Sequence, residues 1–474
     1  MEIIFLIRSN MKHSIVLFIS TSFLILCACQ KIERSPSAGL QSNAILNTKG
    51  TSPNQIIEKY SVSLSDAKRY SELYRPGEAF SVTPYVEGKD TLLYLFNYRE
   101  GWLVLSGDRR VVPVVAENSK GSIKMMDGTG SASWLKMYAQ EVSRLKKDEE
   151  HQKDNDYTSL WKAISRRREG PGTKSESKWV IREAMINEYS VFTATVPPLL
   201  QTEWGQQDPW NYSYPLDLYY NKRCYVGCVA VAFAQLLYYW HYYSGNPTKL
   251  SHTISCYDTI NSAYGLVYDI GFSRSNVTNN SSRWDDMALS ASSGGNTGYV
   301  GDFMLDIGNI VQMGYTGDGS GAYLQYALYA LNLYYGLSYS YGSFSESTAK
   351  AQLFSGRPIV VSSQNSIASH AWIIDGYTTE TQYYSMLRYC ELSTNWGLDD
   401  EVYDTFEETQ AVYGFSAPYD MIPFNRVEYV NLFHMNWGEN GEGNGIYTSI
   451  NWYYSTSNST FSPDNTNMAT VYFQ

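Results

Sequence analysis

The chain has 474 residues, of which 43% are apolar and 15% aromatic, so it can bury a large core and is not a disordered polymer. Its formal net charge of −11 at pH 7 argues against a general nucleic-acid binder, which normally shows a basic excess or patch. Few charges together with 42 Tyr and 12 Trp favour a secreted or surface protein rich in β-structure.

The N-terminal segment has the pattern of a secretory signal. A short basic stretch precedes a nearly apolar run at 15–26, which is too short to span a bilayer and fits a signal-peptide core. The run ends in Leu-Cys-Ala-Cys, which resembles a bacterial lipobox in which Cys29 carries the lipid. We therefore expect residues 1–28 to be a lipoprotein-type signal that leads to a membrane anchor in the bacterial cell envelope, at the outer membrane or cell surface. An ordinary signal of a secreted protein, with incidental cysteines, fits the same residues.

The next segments predict a tether followed by a small folded domain. Residues 29–54 are polar and mixed, which is typical of a tether. Between 55 and 165, short apolar runs alternate with turn signals, and the runs at 91–96 and 102–105 predict a β-hairpin. Helical spacing of apolar residues predicts a helix over 134–147.

A change of composition marks the end of this domain. Charged residues crowd 146–156, and the run 165–172 is first basic and then rich in turn residues. We expect 166–196 to be an exposed linker, the kind of segment that proteases cut readily. An interdomain linker with no processing role explains the composition equally well.

Cys228 is the first candidate for chemistry. Four cysteines remain beyond the signal segment, too few for a disulfide scaffold. Cys228 follows Gly227 and opens a small and apolar run that predicts a buried helix over 228–243. At a helix N-terminus the unpaired N–H groups and the dipole favour the thiolate, which is the nucleophilic form. Taken alone, however, a buried cysteine is more often an inert small hydrophobic residue.

His370 is a suitable partner for such a thiolate, because it opens an apolar strand after a polar loop. Its distance along the chain from Cys228 falls within the roughly 130–150 residues typical of papain-like enzymes. A cysteine peptidase also needs oxyanion donors and a group that orients the histidine. The backbone N–H of Cys228 and an amide within 204–211 are candidate donors, and Asn436 with Trp437 is the candidate orienting group.

Four blocks of residues stand in a fixed order along the chain. They are Gly205-Gln206 with Pro209 and Asn211, Gly227-Cys228-Val229-Ala230 with Ala234-Gln235, His370-Ala371 with Ile374-Asp375-Gly376, and Asn436-Trp437-Gly438. With these blocks the chain resembles the streptopain family of bacterial cysteine peptidases, distant relatives of papain. The runs 94–97 and 101–108 look like that family's propeptide, so the resemblance extends into the N-terminal half.

The resemblance implies an α+β fold in two parts. A papain-like catalytic domain at 197–474, with a helical part and a twisted antiparallel sheet, follows an inhibitory α+β propeptide domain at 55–165. The protein would then be a zymogen whose propeptide covers the cleft and holds the catalytic histidine away from the cysteine. Proteolysis within 166–196 would release it, either by the enzyme itself or by a trypsin-like protease attracted by Arg166 to Arg168.

The same resemblance assigns roles to individual residues. Cys228 would be the nucleophile and His370 the general acid and base. Gln206 would be an oxyanion donor, while Trp437, with or without Asn436, would orient the histidine.

The resemblance also implies the class of substrate. The Gly-rich stretch 317–322 looks like the family's substrate-cleft loop, which makes Gly319, Ser320 and Gly321 candidate substrate-binding residues, together with Ser369 beside the histidine. Substrates would be extended polypeptides, bound by main-chain hydrogen bonds, with a hydrophobic side chain favoured near the cleavage point. No metal or other cofactor is expected.

One segment departs from the family pattern. Asn436 lies much farther from His370 than a short strand-turn-strand connection allows, so residues 378–430 are expected to be an insertion that either caps the cleft or decorates the surface. This insertion contains a second Asn-Trp-Gly. If its Trp396 faces the histidine, Trp396 rather than Trp437 is the orienting group. The Gly-rich run after Trp437 favours the later copy.

Other classes of function fit the sequence less well. A zinc site built from Cys224, Cys228, His241 and His252 matches zinc spacing poorly. A Cys224–Cys228 disulfide would remove the nucleophile. A surface lipoprotein that binds protein or glycan through aromatic residues remains an alternative, as does a transglutaminase-like acyltransferase with the same nucleophile. The propeptide resemblance favours hydrolysis, so we predict a secreted or surface-anchored cysteine endopeptidase that acts on polypeptides and not on nucleic acid.

Overall fold

A computed structural model describes most of the chain from residue 60 onward. The described residues are 60–126, 128–147, 157–158, 161, 177–243, 258–261, 267–270, 281–364, 369–394, 401–448, 452–453, 460–461 and 466–472. The predicted signal, the tether, most of the predicted linker before 177 and Trp396 lie outside them. Among the helices described, none is both long and apolar enough to cross a membrane.

The N-terminal domain is an antiparallel meander flanked by two helices. Its apolar runs form strands. Both faces of the sheet are covered, so runs in which every residue or every second residue is apolar can bury those side chains. The β-hairpin predicted at 91–105 is confirmed, since Leu93 lies opposite Ser106 and Asn97 opposite Trp102. The elements are α1 (Leu64–Tyr74), β1 (Phe80–Glu87), β2 (Asp90–Tyr98), β3 (Trp102–Ser106), β4 (Val114–Asn118) and α2 (Gly130–Lys147).

The C-terminal domain supplies the remaining helices. The first of them, α3, is apolar nearly all round and is buried in a large core with α5 and α6, as expected for a central helix. This helix confirms the segment predicted at 228–243. The described helices of this domain are α3 (Cys228–Tyr243), α4 (Ser281–Asp285), α5 (Thr297–Ile310), α6 (Leu324–Tyr335), α7 (Glu346–Phe354) and α8 (Phe406–Tyr413).

The strands of the C-terminal domain are antiparallel. They are β5 (Lys178–Val196), β6 (Leu216–Asp217), β7 (Lys222–Arg223), β8 (Asp258–Asn261), β9 (Val267–Ile270), β10 (Ser338–Ser343), β11 (Ile359–Gln364), β12 (Ser369–Ser393), β13 (Val402–Tyr403), β14 (Met421–Asn436), β15 (Gly445–Thr448), β16 (Trp452–Tyr453), β17 (Thr460–Phe461) and β18 (Thr466–Tyr472). Helices beside antiparallel sheets confirm the predicted α+β class.

The two domains share one sheet. Its order is β1-β2-β3-β4-β15-β14-β12-β11-β18-β10, and the domains join where Ile446 and Tyr447 of β15 lie opposite Glu117 and Ala116 of β4. Their apolar cores also merge, because Trp134 of α2 meets Tyr447 edge to face with ring centroids 5.0 Å apart. The N-terminal domain is therefore built into the C-terminal domain rather than resting beside it.

The predicted linker differs from the structure at its C-terminal end. Residues 178–196 form β5, which pairs with β12 from Val196 opposite Tyr377 to Lys178 opposite Ser393. This segment is rich in β-branched and aromatic residues, which favour strands over exposed linkers. The expectation of a linker over 178–196 is therefore wrong.

The predicted insertion at 378–430 forms a long arm made of the outer halves of β12 and β14 with β13 and α8. Tyr384 and Met386 on this arm are almost fully buried in a core shared with Tyr70 and Trp161 of the N-terminal part. The described part of the arm thus packs against the N-terminal domain.

Candidate active site

Cys228 lies at the first position of α3, and the residue before it fixes this geometry. Gly227 has φ +92°, a left-handed conformation that side chains disfavour, and an added Cβ would lie 2.6 Å from Sδ of Met313. The Val231 N–H donates to the Gly227 carbonyl at 3.1 Å, which starts the helix there. Cys228 keeps 5% of its surface exposed. Because Cys228 is the first residue of the helix, its sulfur lies beside the unpaired N–H groups and the positive end of the helix dipole, which favour a thiolate.

His370 comes to the same place from β12, where it lies opposite Ser363 of β11. Its Nε2 is 2.9 Å from the main-chain carbonyl oxygen of Trp437, which leaves Nδ1 for the thiol. Burial lowers the pKa of His370, but the hydrogen bond and charge of Cys228, the Glu439 carboxylate and the Trp437 carbonyl together raise that pKa to about 9. The imidazole is therefore protonated at neutral pH, as a thiolate–imidazolium pair requires.

The expectation that the N-terminal domain holds His370 away from Cys228 is wrong. The two side chains are in hydrogen-bond contact. The physical reason is that β12 and the Trp437 carbonyl fix the imidazole from within the catalytic domain, so the N-terminal domain covers the ring instead of displacing it.

The two candidate orienting residues have different surroundings. The Trp437 ring lies 6.1 Å from the His370 ring, between centroids, and its carbonyl accepts the Nε2 hydrogen bond. The Asn436 side chain instead donates to the Thr202 carbonyl at 2.8 Å and accepts from Gln235 and from the Gly438 N–H, each at 3.2 Å. Trp437 thus contacts the histidine, whereas Asn436 fixes the backbone of the turn that follows β14.

Gln206 is brought to the nucleophile by the backbone. Its carbonyl accepts the Val226 N–H at 2.9 Å, two residues before Cys228. Its side chain is 6% exposed, and Nε2 donates to Oε1 of Glu439 at 3.1 Å. An amide nitrogen carries two N–H groups, so one of them stays available for a substrate oxygen.

Glu439 is a site residue that the sequence analysis missed. Its Oε1 lies 4.0 Å from Nε2 of His370, and 12% of its side-chain surface is exposed. Burial raises the pKa of Glu439 to about 7, while the His370 charge and hydrogen bonds from Gln206 and the Gly130 N–H oppose that rise. The available signal was an acidic residue two positions after Trp437, directly behind the Asn-Trp-Gly block.

The predicted cleft loop lies beside the nucleophile. Gly314 and Gly321 exchange two backbone hydrogen bonds, at 2.9 and 3.1 Å, and the Ser320 carbonyl oxygen would lie 3.1 Å from a Cβ on Gly227. The Ser320 hydroxyl accepts the Thr316 N–H at 3.0 Å, so this side chain holds the loop together. Gly319 shares that loop, whereas Ser369 begins β12 opposite Gln364.

The described cysteines take part in neither a disulfide nor a metal site. Cys224, Cys228 and Cys390 are free thiols. Burial, aided by the charge of Asp217, raises the pKa of Cys224 to about 12, so this thiol stays protonated. Within the described part of the chain no group of three His, Cys, Asp or Glu is placed to hold a metal ion; His252 lies outside that part.

The first turn of α2 covers the site. A Cβ on Gly130 would lie within 3.0 Å of Cδ2 and Nε2 of His370 and 2.7 Å from Cε3 of Trp437. A Cβ on Gly443, in the turn after Trp437, would likewise collide with the Ser131 side chain. The N-terminal domain thus reaches the catalytic residues at van der Waals distance, and only a glycine fits at 130.

Comparisons with known proteins agree with this site. Residues 204–403, which include Gln206, Cys228 and His370, match the model of the Peptidase C10 family. No curated protein matches the chain. A fragment of Prevotella intermedia prointerpain A carrying a cysteine-to-alanine mutation is similar with TM-score 0.47 and 19% identity, over 82% of this chain and 98% of that chain. Active wild-type interpain A cysteine protease from the same organism gives TM-score 0.35 and 24% identity, over 59% and 95%.

Proposed function

We propose that this chain is a secreted or surface-anchored cysteine endopeptidase of the streptopain family, made as a zymogen; the match of residues 204–403 to the Peptidase C10 model supports the family. The observation that carries this proposal is the contact of Cys228, at the start of α3, with a His370 whose outer nitrogen is held by the Trp437 carbonyl.

The proposed reaction follows from these positions. The Cys228 thiolate attacks the carbonyl carbon of the scissile peptide bond, and negative charge develops on the carbonyl oxygen. The free N–H of Gln206 and the Cys228 backbone N–H stabilise this oxyanion. His370 donates its proton to the leaving amine, which gives an acyl-enzyme. Water, deprotonated by His370, then hydrolyses the thioester and restores the thiolate–imidazolium pair.

The N-terminal domain is proposed to be the inhibitory propeptide. Three separate contacts support this role: the first turn of α2 over His370, the pairing of β4 with β15, and the core shared with the arm through Tyr384. With the site covered, a polypeptide cannot reach Cys228. Cleavage of the connection between α2 and β5 would let the domain leave, while β5 stays paired with the catalytic domain.

The substrate class is proposed from the cleft. The loop that contains Gly319, Ser320 and Gly321 lies along one side of Cys228, and its backbone groups suit main-chain hydrogen bonds to an extended polypeptide. A hydrophobic side chain near the cleavage point remains the expectation from the family resemblance. Attachment to the cell envelope through Cys29 is supported by the lipobox-like sequence.

The experiment that tests this proposal compares the chain 30–474 with its Cys228→Ser variant, by intact mass and by casein hydrolysis. We expect the wild-type chain to lose an N-terminal fragment and to gain thiol-dependent activity, whereas the variant stays whole and inactive. A variant that is cut and active like the wild type would rule out Cys228 as the nucleophile. If neither is cut, limited trypsin treatment replaces self-cleavage, and continued inactivity of the wild type would refute the peptidase proposal.

A further inference from the structure

Glu439 occupies the space between the two groups that flank the nucleophile. Its carboxylate accepts a hydrogen bond from Nε2 of Gln206 at 3.1 Å and lies 4.0 Å from Nε2 of His370. A glutamine in the same place would keep the hydrogen bond to Gln206 but lose the charge. That charge helps keep His370 protonated, and the place of the carboxylate beside both groups also bears on what binds there.

The direction of a bound substrate places Glu439 on the leaving-group side. A peptide attacked by Cys228 points its carbonyl oxygen toward Gln206 and its leaving nitrogen toward His370, because these groups stabilise the oxyanion and protonate the amine. The residue that follows the scissile bond then leaves the site between Gln206 and His370. The Glu439 carboxylate adjoins this exit, since it lies 3.1 Å from Nε2 of Gln206 and 4.0 Å from the outer nitrogen, Nε2, of His370.

In the zymogen this position is already occupied by a positively polarised group. The Gly130 N–H donates to Glu439, and Gly130 is the first residue of the 18-residue helix α2. A helix N-terminus carries a partial positive charge. The carboxylate thus holds the positive end of a helix until the propeptide leaves.

The charges around Glu439 leave the site negative. Glu442, on the same turn, faces Glu439 as a like charge, and the Glu203 carboxylate lies 3.0 Å from the Cβ position of Gly441 on that turn. From β12, the His370 imidazolium opposes these three acids, and the Gln206 and Gly130 groups are neutral donors. Because the pKa of Glu439 is raised to about 7 in the covered site, a cationic occupant would favour its charged form.

We propose that Glu439 is a specificity-determining residue that selects Lys or Arg immediately after the scissile bond. This inference depends on the proposed function, because it takes Gln206 and His370 as the groups that align the substrate. Lys and Arg are charged at neutral pH, reach several ångströms from the backbone and form charge-assisted hydrogen bonds with a carboxylate. An acidic side chain at that substrate position would be repelled.

The test maps cleavage sites in denatured casein and then measures one bond in detail. Casein is digested with the activated wild-type enzyme and with the Glu439→Gln and Glu442→Gln variants. Bonds that are also cut by a Cys228→Ser chain treated in the same way are excluded as background. The bond cut best by the wild type is then synthesised in three peptides with Arg, Ala or Glu after it, and kcat/KM is measured for each. Glu442→Gln is the matched control, since it removes one charge from the same turn.

We expect the wild type to cleave the Arg peptide at least about tenfold better than the Glu peptide, the size of one charge-assisted hydrogen bond. In Glu439→Gln this ratio falls toward one, while Glu442→Gln keeps most of it. Equal cleavage of the three peptides by the wild type, or a ratio unchanged in Glu439→Gln, would overturn the inference and leave the peptidase proposal intact. If the wild type, once activated, cuts neither casein nor any peptide, the proposed function itself fails and the inference falls with it.

Discussion

Replacing Gly130 by alanine tests whether the propeptide inhibits by covering the catalytic histidine. The new Cβ would lie within 3.0 Å of His370 and 2.7 Å from the Trp437 ring, closer than real Cβ atoms approach their neighbours. Both neighbours are almost fully buried, so neither ring can move aside easily. The first turn of α2 must shift instead, and the hydrogen bond from the residue 130 N–H to Glu439 is lost.

The size of the effect follows from three contributions. Overpacking costs about 1–3 kcal/mol, and loss of a hydrogen bond to a charged acceptor costs about 1.5–3 kcal/mol. The better helix propensity of alanine offsets up to about 1 kcal/mol. Docking of the propeptide on the cleft should therefore weaken by roughly 1.5–6 kcal/mol, which corresponds to an increase of at least about tenfold in the fraction of open molecules.

The assay is alkylation of Cys228 in the intact zymogen, followed by mass spectrometry. Because Cys228 is 5% exposed, labelling requires opening, and its rate follows the open fraction when opening is fast. We expect Gly130→Ala to label at least about tenfold faster than the wild type. The Cys228→Ser chain supplies the background from other thiols.

The matched control is Gly298→Ala, a glycine in the first turn of α5. A Cβ there would meet only Oδ1 of Asn296, at 3.1 Å, so this variant should label at the wild-type rate. If Gly130→Ala also labels at the wild-type rate, the close approach of α2 to His370 does not keep the cleft shut, and the argument for inhibition by covering is refuted.

Three further predictions concern catalysis and activation. Gln206→Ala should lower kcat about 10²–10³-fold with a smaller change in KM, whereas exposed Gln207→Ala should not; equal effects in steady-state kinetics would remove Gln206 from the oxyanion site. Because the raised pKa of His370 keeps the imidazolium present below about pH 9, activity should be retained up to that pH and lost as pH rises through it, and a pH–rate profile that falls near the ordinary histidine pKa of ~6.5 contradicts this. N-terminal sequencing of the activated enzyme should find its first residue within 166–178, since β5 begins at Lys178 and is paired along its length; a start inside β5 would show that this strand leaves with the propeptide.

The positions of the candidate catalytic residues were predictable because their signals are local. A glycine before Cys228 and a small, apolar run after it specify a helix that begins at the thiol, and both features are visible within a few residues. The same holds for His370 at the start of an apolar strand. Their order along the chain added a second, independent constraint, and the structure brings Cys228, His370 and Gln206 together as that order predicted.

The long-range pairings were not predictable from one sequence. The strand at 178–196 was interpreted as a linker because the basic, turn-rich run before it dominates the local composition, and its partner β12 lies about two hundred residues downstream. Nothing local indicates that β4 of the propeptide completes an edge of the catalytic sheet at β15. A strand's propensity can be estimated from its own residues, but its partner is set by the tertiary fold.

The orienting group shows a second kind of limit. The sequence directed attention to the side chains of Asn436 and Trp437, yet the atom that holds Nε2 of His370 is a main-chain carbonyl oxygen, which nearly any residue at 437 would supply. The side chains of Asn436 and Trp437 instead hold that carbonyl group in position. Asn436 fixes the turn through Thr202, Gln235 and the Gly438 N–H, and the Trp437 ring packs beside the imidazole. Both residues therefore act on catalysis through the position of one peptide group, which explains why a search for an Asn–His hydrogen bond alone would misplace the role of Asn436.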